Sequence, residues 1–337
     1  MDADQISRDL LFRIRGHQIA AMIHVAARLS LPDRVGEGLR LEQLAREAGV
    51  RPSTLRRLIR ALSAFQIFHI DEADHVSQTP SSRLLMTETP GSLHAAAAFW
   101  GLPCGWDSWG QLEYAIRTGE SAFDHVFDRT FFEYLESNRD ARRAFDLFMA
   151  GSPEDRHVAA VSAYDFARFR SIVDVGGGDG MLIAHILASS PHASGILFDR
   201  PEVVATPSPR LRPFLEQGRC KVVGGSFFDT IPAGCDACVL SQIIHDWEDA
   251  PALRILAGCR AGLARGATLL VIERLLDPSM AEATANNLLS DIEMLVVTHA
   301  AERTPSEYEA LFAEAGFRLK KVIPTSSPFA VFECLAV

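Results

Sequence analysis

The 337-residue sequence contains no apolar run of 18 residues, no internal repeat and no low-complexity segment. The first absence excludes a membrane-crossing helix, and the other two exclude a solenoid and a long disordered tail. The opening stretch mixes Asp2, Asp4, Arg8, Arg13 and Arg15, unlike a signal peptide, so a cytoplasmic enzyme is expected. Positive charge is short as well. A net charge of -10 disfavours nucleic acid as the main partner, because affinity for phosphates comes largely from Lys and Arg. Cysteine is sparse, and six thiols in such a chain without a secretory signal read as reduced. Cys235-Asp-Ala-Cys238 has CxxC form, but it leads into a strand-like run rather than a helix, and Cys220 and Cys259 form no second pair. No metal and no redox function are therefore expected.

What is present is organised around Ser171 to Gly180, which reads Ser-Ile-Val-Asp-Val-Gly-Gly-Gly-Asp-Gly. Ile172, Val173 and Val175 are apolar and β-branched, which predicts a buried parallel strand, a glycine turn at its carboxyl end and a helix from Met181. Open α/β sheets bind cofactors at that end. A dinucleotide fingerprint needs a third glycine where the helix packs on the strand, and counting on from Gly176 and Gly178 puts Met181 there. Asp174-x-Gly176-x-Gly178-x-Gly180 instead resembles motif I of class I S-adenosylmethionine (SAM) methyltransferases.

The 48% hydrophobic content and 20 Phe suffice for buried cores, and the length predicts two domains or more. Residues 8–30 carry apolar positions at helical spacing, with Pro32 ending the run. Residues 41–48 read as a short helix stopped by Gly49, and Pro52 opens another whose Leu55, Leu58, Ile59 and Leu62 share a face. Short strands at 67–70 and 75–77 complete a winged-helix pattern. Such domains often read DNA, and Arg46, Arg51, Arg56, Arg57 and Arg60 outnumber Glu42 and Glu47. The excess is modest for a phosphate-binding patch, which favours dimerisation as the domain's role.

Between Ala95 and Arg168 the chain is rich in aromatics, including Phe99, Trp100, Trp106, Phe131, Phe145 and Phe148. They line an acceptor pocket or fill a helical core; the pattern allows both. Turns are expected at Thr118-Gly-Glu120 and Gly151-Ser-Pro153. Beyond Phe169, strands at 172–175, 195–198, 221–224, 237–240 and 268–272 alternate with helices, predicting right-handed crossovers and a doubly wound sheet. Thr304-Pro-Ser-Glu307 is a capping box opening a helix that stops at Gly316, and runs at 319–325 and 329–336 read as a hairpin at the sheet edge. The expected domains are 1–94, 95–168 and 169–337.

Three groups follow the strands of this sheet. Asp199 ends the second, about twenty positions after Gly176, where a carboxylate accepts from ribose hydroxyls or caps the chain before Pro201. Gly225-Ser-Phe-Phe228 follows the third, so Phe227 can pack on a base and Ser226 can offer its hydroxyl. His245-Asp246-Trp247 follows the fourth, on the same edge as the glycine loop. A histidine there, near its ordinary pKa of about 6.5, suits removal of a proton from a methyl acceptor.

In order, the chain carries the winged-helix start, Val173-Asp-Val-Gly-Gly-Gly-Asp-Gly180, Phe198-Asp-Arg-Pro-Glu202, Gly225-Ser-Phe-Phe228, Ile244-His-Asp-Trp247, Val271-Ile-Glu273, Asp291-x-x-Met-Leu295 and Glu302-Arg-Thr304. Over nearly the whole length it resembles the plant caffeic-acid-type and bacterial antibiotic-pathway small-molecule O-methyltransferases. The resemblance implies a class I SAM-methyltransferase fold, an α/β doubly wound, Rossmann-like sheet, with an N-terminal winged-helix dimerisation domain that interlocks a homodimer. It implies SAM as cofactor, S-adenosylhomocysteine as product, no metal, and a hydroxyl of a planar aromatic metabolite such as a phenazine, naphthoate or polyketide as acceptor. His245 matches the family's base and Glu273 and Glu302 its flanking acids, with Asp246 alongside. Glu302 would hold the second ring nitrogen and Glu273 would steady the ring from another side; both also read as loop hydrogen-bonding groups.

Cofactor contacts are implied for Asp174, Gly176, Gly177, Gly178, Asp199, Arg200, Ser226, Phe227, Ser241 and Gln242. Acceptor contacts are implied for Trp106, Phe145, Met149, Asn287, Asp291 and Met294. Many plant members carry Asp where Ser226 stands and Lys where Ser241 stands. His299 falls in a stretch that is commonly glycine-rich and is a candidate second polar group in the acceptor pocket. The cofactor site does not choose the acceptor, so N-methylation, hydroxylation or decarboxylation are the alternatives within the fold, and a DNA-binding regulator is the alternative outside it.

Overall fold

The computed structural model describes residues 2–150, 156–276 and 281–337. The chain forms two compact units, Met1–Gly110 with Arg129–Pro153 and Gln111–Asp128 with Glu154–Val337. The 95–168 stretch is thus shared between them. The turn expected at Gly151-Ser-Pro153 lies outside the described residues.

In the first unit, helices Ala3–Ile14 and Gly16–Arg28 cover the long amphipathic run. Pro32 does not end it. The break comes at Leu29 and Ser30, and Pro32 sits in the first turn of helix Leu31–Val35, where a missing N–H loses no helix bond. Strand β1 (Leu39–Arg40), helices Leu41–Ala48 and Pro52–Ala64, β2 (Phe68–Ile70) and β3 (His75–Gln78) follow, and the strands pair in the order β1-β3-β2. Two residues are too short for β1 to show alternation in the sequence. Leu31, Leu41, Leu44, Leu55, Ile59, Leu62, Phe68 and Val76 form the core, and Arg56 pairs with Asp74 on the hairpin. Helix Ala3–Ile14 is different: it buries no residue, and Ile6, Leu10, Leu11, Phe12 and Ile14 are each more than half exposed. Among the aromatics, Phe99 stacks on Phe148 at 4.9 Å and Phe145 meets Phe131 edge-on at 5.5 Å, which is core packing.

In the second unit, β4 (Ser171–Val175), β5 (Ser194–Asp199), β6 (Cys220–Gly224), β7 (Ala237–Ser241), β8 (Thr268–Arg274), β9 (Phe317–Pro324) and β10 (Phe329–Ala336) make one sheet ordered β6-β5-β4-β7-β8-β10-β9. The first five are parallel, and β10 runs antiparallel to both β8 and β9. The closing hairpin lies at the sheet edge, as expected. Its second strand, buried along most of its length, is inserted beside β8, and half-polar β9 takes the rim. Strand order reverses between β4 and β7, which opens a crevice over their carboxyl ends. Helices Met181–Ser189 and Asp249–Gly262 cover the sheet, and residues 225–236 join β6 to β7 without a helix. Helix Ala281–Val297, not foreseen in the sequence, precedes the capped helix Pro305–Glu314. Among the described residues no helix is long and apolar enough to cross a membrane.

Candidate active site

The glycine loop leaves β4 bound to its neighbour: the amides of Gly176 and Gly177 donate to the Phe198 carbonyl at 2.8 and 3.3 Å. Gly176 has a φ of +69°, and a Cβ there would collide with Ile243, two residues before the candidate base. Gly178, at a φ of +61°, donates its amide to Asp199 Oδ2 at 2.9 Å and faces open space where a side chain would be. Asp199 thus shapes the loop, and its Oδ1 accepts from the Arg200 amide at 2.7 Å. Arg200 Nε lies 3.3 Å from Glu202. Phe227 borders Gly176 and meets Trp247 edge-on at 5.9 Å, whereas Ser226 spends its hydroxyl on the Phe228 amide at 3.2 Å.

Several buried polar atoms on this edge, among them Ser241 Oγ, Gln242 Oε1 and both Asp174 carboxylate oxygens, have no partner among the described residues. Such groups need a ligand or water. With the bare loop and Asp199 they fit a polar nucleoside cofactor. Asp174 is wholly buried. Its carboxylate lies under Gly177, and burial, then Asp199, push its pKa up to about 7, only partly offset by the Ile183 amide.

The second half of the site is the 3-10 turn Ile244–Asp246 after β7. His245 is 6% exposed, and its Nδ1 donates to Glu302 Oε1 at 3.1 Å, the orientation expected of an imidazole-holding carboxylate. The same oxygen accepts from Ser290 Oγ at 2.8 Å, and the Glu302 amide donates to Asp291 Oδ1 at 3.0 Å. Glu273 takes the strand-end hydrogen-bonding place that the sequence allowed for it. From the end of β8 its Oε1 accepts the amides of Ile243 and Ile244 at 3.0 and 2.9 Å, so it grips the main chain of the turn while Oε2 stays buried without a partner. Asp246 Oδ1 stands 3.5 Å from His245 Nε2, and Arg274 Nε lies 3.8 Å from Glu302.

Charge decides the protonation state. Burial alone would lower the His245 pKa, but Asp246, Glu302 and Glu273 outweigh it and carry it up to about 10. The ordinary value of about 6.5 assumed for this base from the sequence therefore does not hold. Burial raises Asp246 and takes Glu273 up to about 7; Glu302 resists burial because the imidazole and Ser290 hold it below the usual range. Donor atoms of His245, Glu273 and Glu302 lie within 4.8 Å of one another, as in a cation site. Yet the Ser290 hydroxyl and the Ile243 and Ile244 amides already aim hydrogens at these carboxylates, which is how a proton-sharing cluster is built.

The residues expected at the acceptor are distributed. Trp106, on helix Pro103–Trp109, and Phe145 and Met149, on helix Arg139–Ala150, are half-buried in the first unit. Asn287, Asp291 and Met294 share helix Ala281–Val297 in the second. Asn287 is buried and occupied, donating to the Leu275 carbonyl at 2.7 Å and accepting from Arg274 at 3.3 Å. Asp291 holds the Glu302 amide, and the Met294 carbonyl accepts from the Thr298 amide at 2.9 Å. His299, at a φ of +60°, lies between Glu120 at 3.8 Å and Glu248 at 3.6 Å. Cys235 and Cys238 are buried; Cys238, hydrogen-bonded to Cys259, is raised well above the ordinary thiol range, as burial raises Cys235, so neither supplies a thiolate. Sequence reasoning missed Ser290, since a serine holding a carboxylate 12 positions away leaves no local pattern.

Known proteins resemble this chain in sequence and fold. Residues 109–318 match the O-methyltransferase domain family and residues 13–88 the O-methyltransferase dimerisation domain. Phenazine O-methyltransferase PhzM of Lysobacter antibioticus is 36% identical, covering 97% of this chain and 96% of its own. The mitomycin biosynthesis 6-O-methyltransferase of Streptomyces lavendulae is 33% identical over 96% and 91%. The neocarzinostatin-pathway O-methyltransferase NcsB1, solved with SAM and 2-hydroxy-5-methyl naphthoic acid, superposes with a TM-score of 0.81 at 28% identity over 95% and 96%. An N-methyltransferase matches too: the phenazine-1-carboxylate enzyme of Pseudomonas aeruginosa, 32% identical over 94% and 93%. With a glycine cradle and a buried His–Glu pair on one sheet edge, this chain belongs to the SAM-dependent O-methyltransferase family.

Proposed function

We propose that this enzyme methylates a hydroxyl of a planar aromatic secondary metabolite, with His245 as general base. The observation that carries the reading is the buried His245 ring held through Nδ1 by Glu302; Nε2, which stands 3.5 Å from Asp246 Oδ1, is the nitrogen that would take the acceptor's proton. Gly176, Gly177, Gly178, Asp199, Phe227, Ser241 and Gln242 would hold SAM, with Arg200 and Ser226 at the rim and Asp174 bracing the loop from below. When bound, SAM supplies an electrophilic methyl group. The chain's own work is to place the acceptor oxygen and take its proton.

A phenol has a pKa of about 10, and the imidazolium sits at about 10 as well, so once His245 has given its own proton to solvent the neutral imidazole takes the phenol's proton with little free-energy difference. The acceptor oxygen is then a phenolate facing an imidazolium, and Glu302 keeps the ring in one orientation throughout. Asp246 and Glu273 make the imidazole a strong enough base for a phenol. The exposed apolar residues Ile6, Leu10, Leu11 and Ile14, together with the dimerisation-domain match, support a homodimer through the N-terminal unit.

The test is to incubate the protein with labelled SAM and a panel of hydroxylated aromatics and weigh the products. One added methyl on oxygen, lost in His245→Ala with SAM affinity retained, supports the proposal. Methyl transfer to a ring nitrogen, which requires no proton removal, would leave His245→Ala active and move the assignment to the N-methylating relatives.

A further inference from the structure

Arg303 follows Glu302 and reaches the far side of the turn that carries His245. Its side chain is 7% exposed, and the guanidinium donates from Nη1 to the Ile244 carbonyl at 3.1 Å and from Nη2 to the Trp247 carbonyl at 2.9 Å. Nε and Nη2 also donate to Asp249 Oδ1 at 3.1 and 2.7 Å. These carbonyls stand immediately before His245 and two residues after it. Glu273 takes the amides on the entering side, so a carboxylate and a guanidinium from different elements hold the turn at its two ends.

A buried charge persists only where several groups saturate it, and here two of the acceptors are main-chain carbonyls flanking the base. Only a planar fork spans two carbonyls and a carboxylate at once; a lysine ammonium does not. Glu302 fixes the ring while its neighbour Arg303 fixes the backbone beneath it, so one dipeptide sets both ends of the His245 side chain. We infer that Arg303 is a positioning residue for the methyl transfer, anchored by Asp249. The inference rests on His245 being the base.

The experiment uses the full chain with Arg303→Lys, Arg303→Met and Asp249→Asn, and reads three quantities. The first is affinity for SAM and its demethylated product by calorimetry. The second is kcat and KM with a phenolic acceptor. The third is the Nδ1 proton resonance of His245 in histidine-labelled protein, assigned with His245→Gln. Expected are unchanged cofactor affinity, a little-changed KM, and a kcat about 10- to 100-fold lower in both Arg303 variants, since misplacing a reacting group by 1 Å costs on that order. Asp249→Asn falls less, by about 3- to 10-fold, and the resonance shifts or broadens in all three. Near-wild-type kcat with an unmoved resonance in Arg303→Lys and Asp249→Asn overturns the inference. Asp249 is largely exposed, so its variant decides the matter if Arg303→Met fails to fold. If His245→Ala keeps its turnover, the base assignment fails instead, and the resonance in Arg303→Lys still shows whether Arg303 holds the turn.

Discussion

Two regions invert the usual placement of polar and apolar groups. The turn after β7 encloses an imidazole among Asp246, Glu273 and Glu302, whereas helix Ala3–Ile14 leaves Leu10, Leu11, Phe12 and Ile14 in water. Buried charge is tolerated in the first because Ile243, Ile244, Ser290 and Arg303 hydrogen-bond its atoms or the main chain around it. Exposed apolar surface in the second is what a second copy would cover. Each departure from the ordinary rule marks a job that the isolated fold does not require.

The comparison breaks first at the turn. His245→Ala should lower kcat by about 10²- to 10⁴-fold with cofactor affinity unchanged, read by single-turnover product formation and calorimetry. Next comes Glu302→Gln, which keeps the shape but not the charge. Roughly 10- to 10³-fold loss of kcat is expected, and a rate close to wild type would leave the ring oriented by packing alone.

A pH profile sharpens the same region. Because His245 holds its proton up to about 10, kcat/KM for a phenolic acceptor should climb through the neutral range instead of levelling near 6.5. Glu273→Gln removes one of the carboxylates that retain the proton and should move this limb to lower pH. Stability obeys the corresponding sign. A pKa raised in the folded state makes His245 protonation stabilising in full below about 6.5, and that contribution is lost as pH rises through about 10. The Tm advantage over His245→Gln should narrow across that window.

On the other side, Leu10→Glu with Leu11→Glu should convert the homodimer to monomer in sedimentation, removing about 2 kcal/mol of apolar burial per side chain per copy. A wild type that sediments as a monomer would dismiss the covered-stripe reading. The smallest effect is expected at the Thr304–Glu307 capping box, where Thr304→Ala should cost about 1 kcal/mol, seen as a few degrees of Tm with kcat nearly unchanged.

Much of the fold was legible locally. The β-branched runs at 172–175 and 237–240 became strands, Gly176 to Gly180 turned the chain at a strand end, and Thr304 capped its helix, because near neighbours satisfy each of these. The insertion of β10 beside β8 was not legible, since residues 329–336 cannot announce which strand they will join. Pro32 misled for a related reason: whether proline stops a helix or starts one depends on where the preceding turn ends.

In the candidate site, sequence alone picked out His245, Glu273 and Glu302, which the fold brings within 4.8 Å of one another, because residue chemistry and order along the chain survive in a linear pattern, whereas Ser290 was not foreseen. Tertiary structure decided what each one does. It set Glu273 Oε1 on main-chain amides beside the ring, gave Asn287 and Asp291 hydrogen bonds to the end of β8 and to the Glu302 amide, and enclosed Asp174. It also moved the His245 pKa far from its ordinary value, since that shift arises where side chains separated by up to 57 positions meet in a space closed to water.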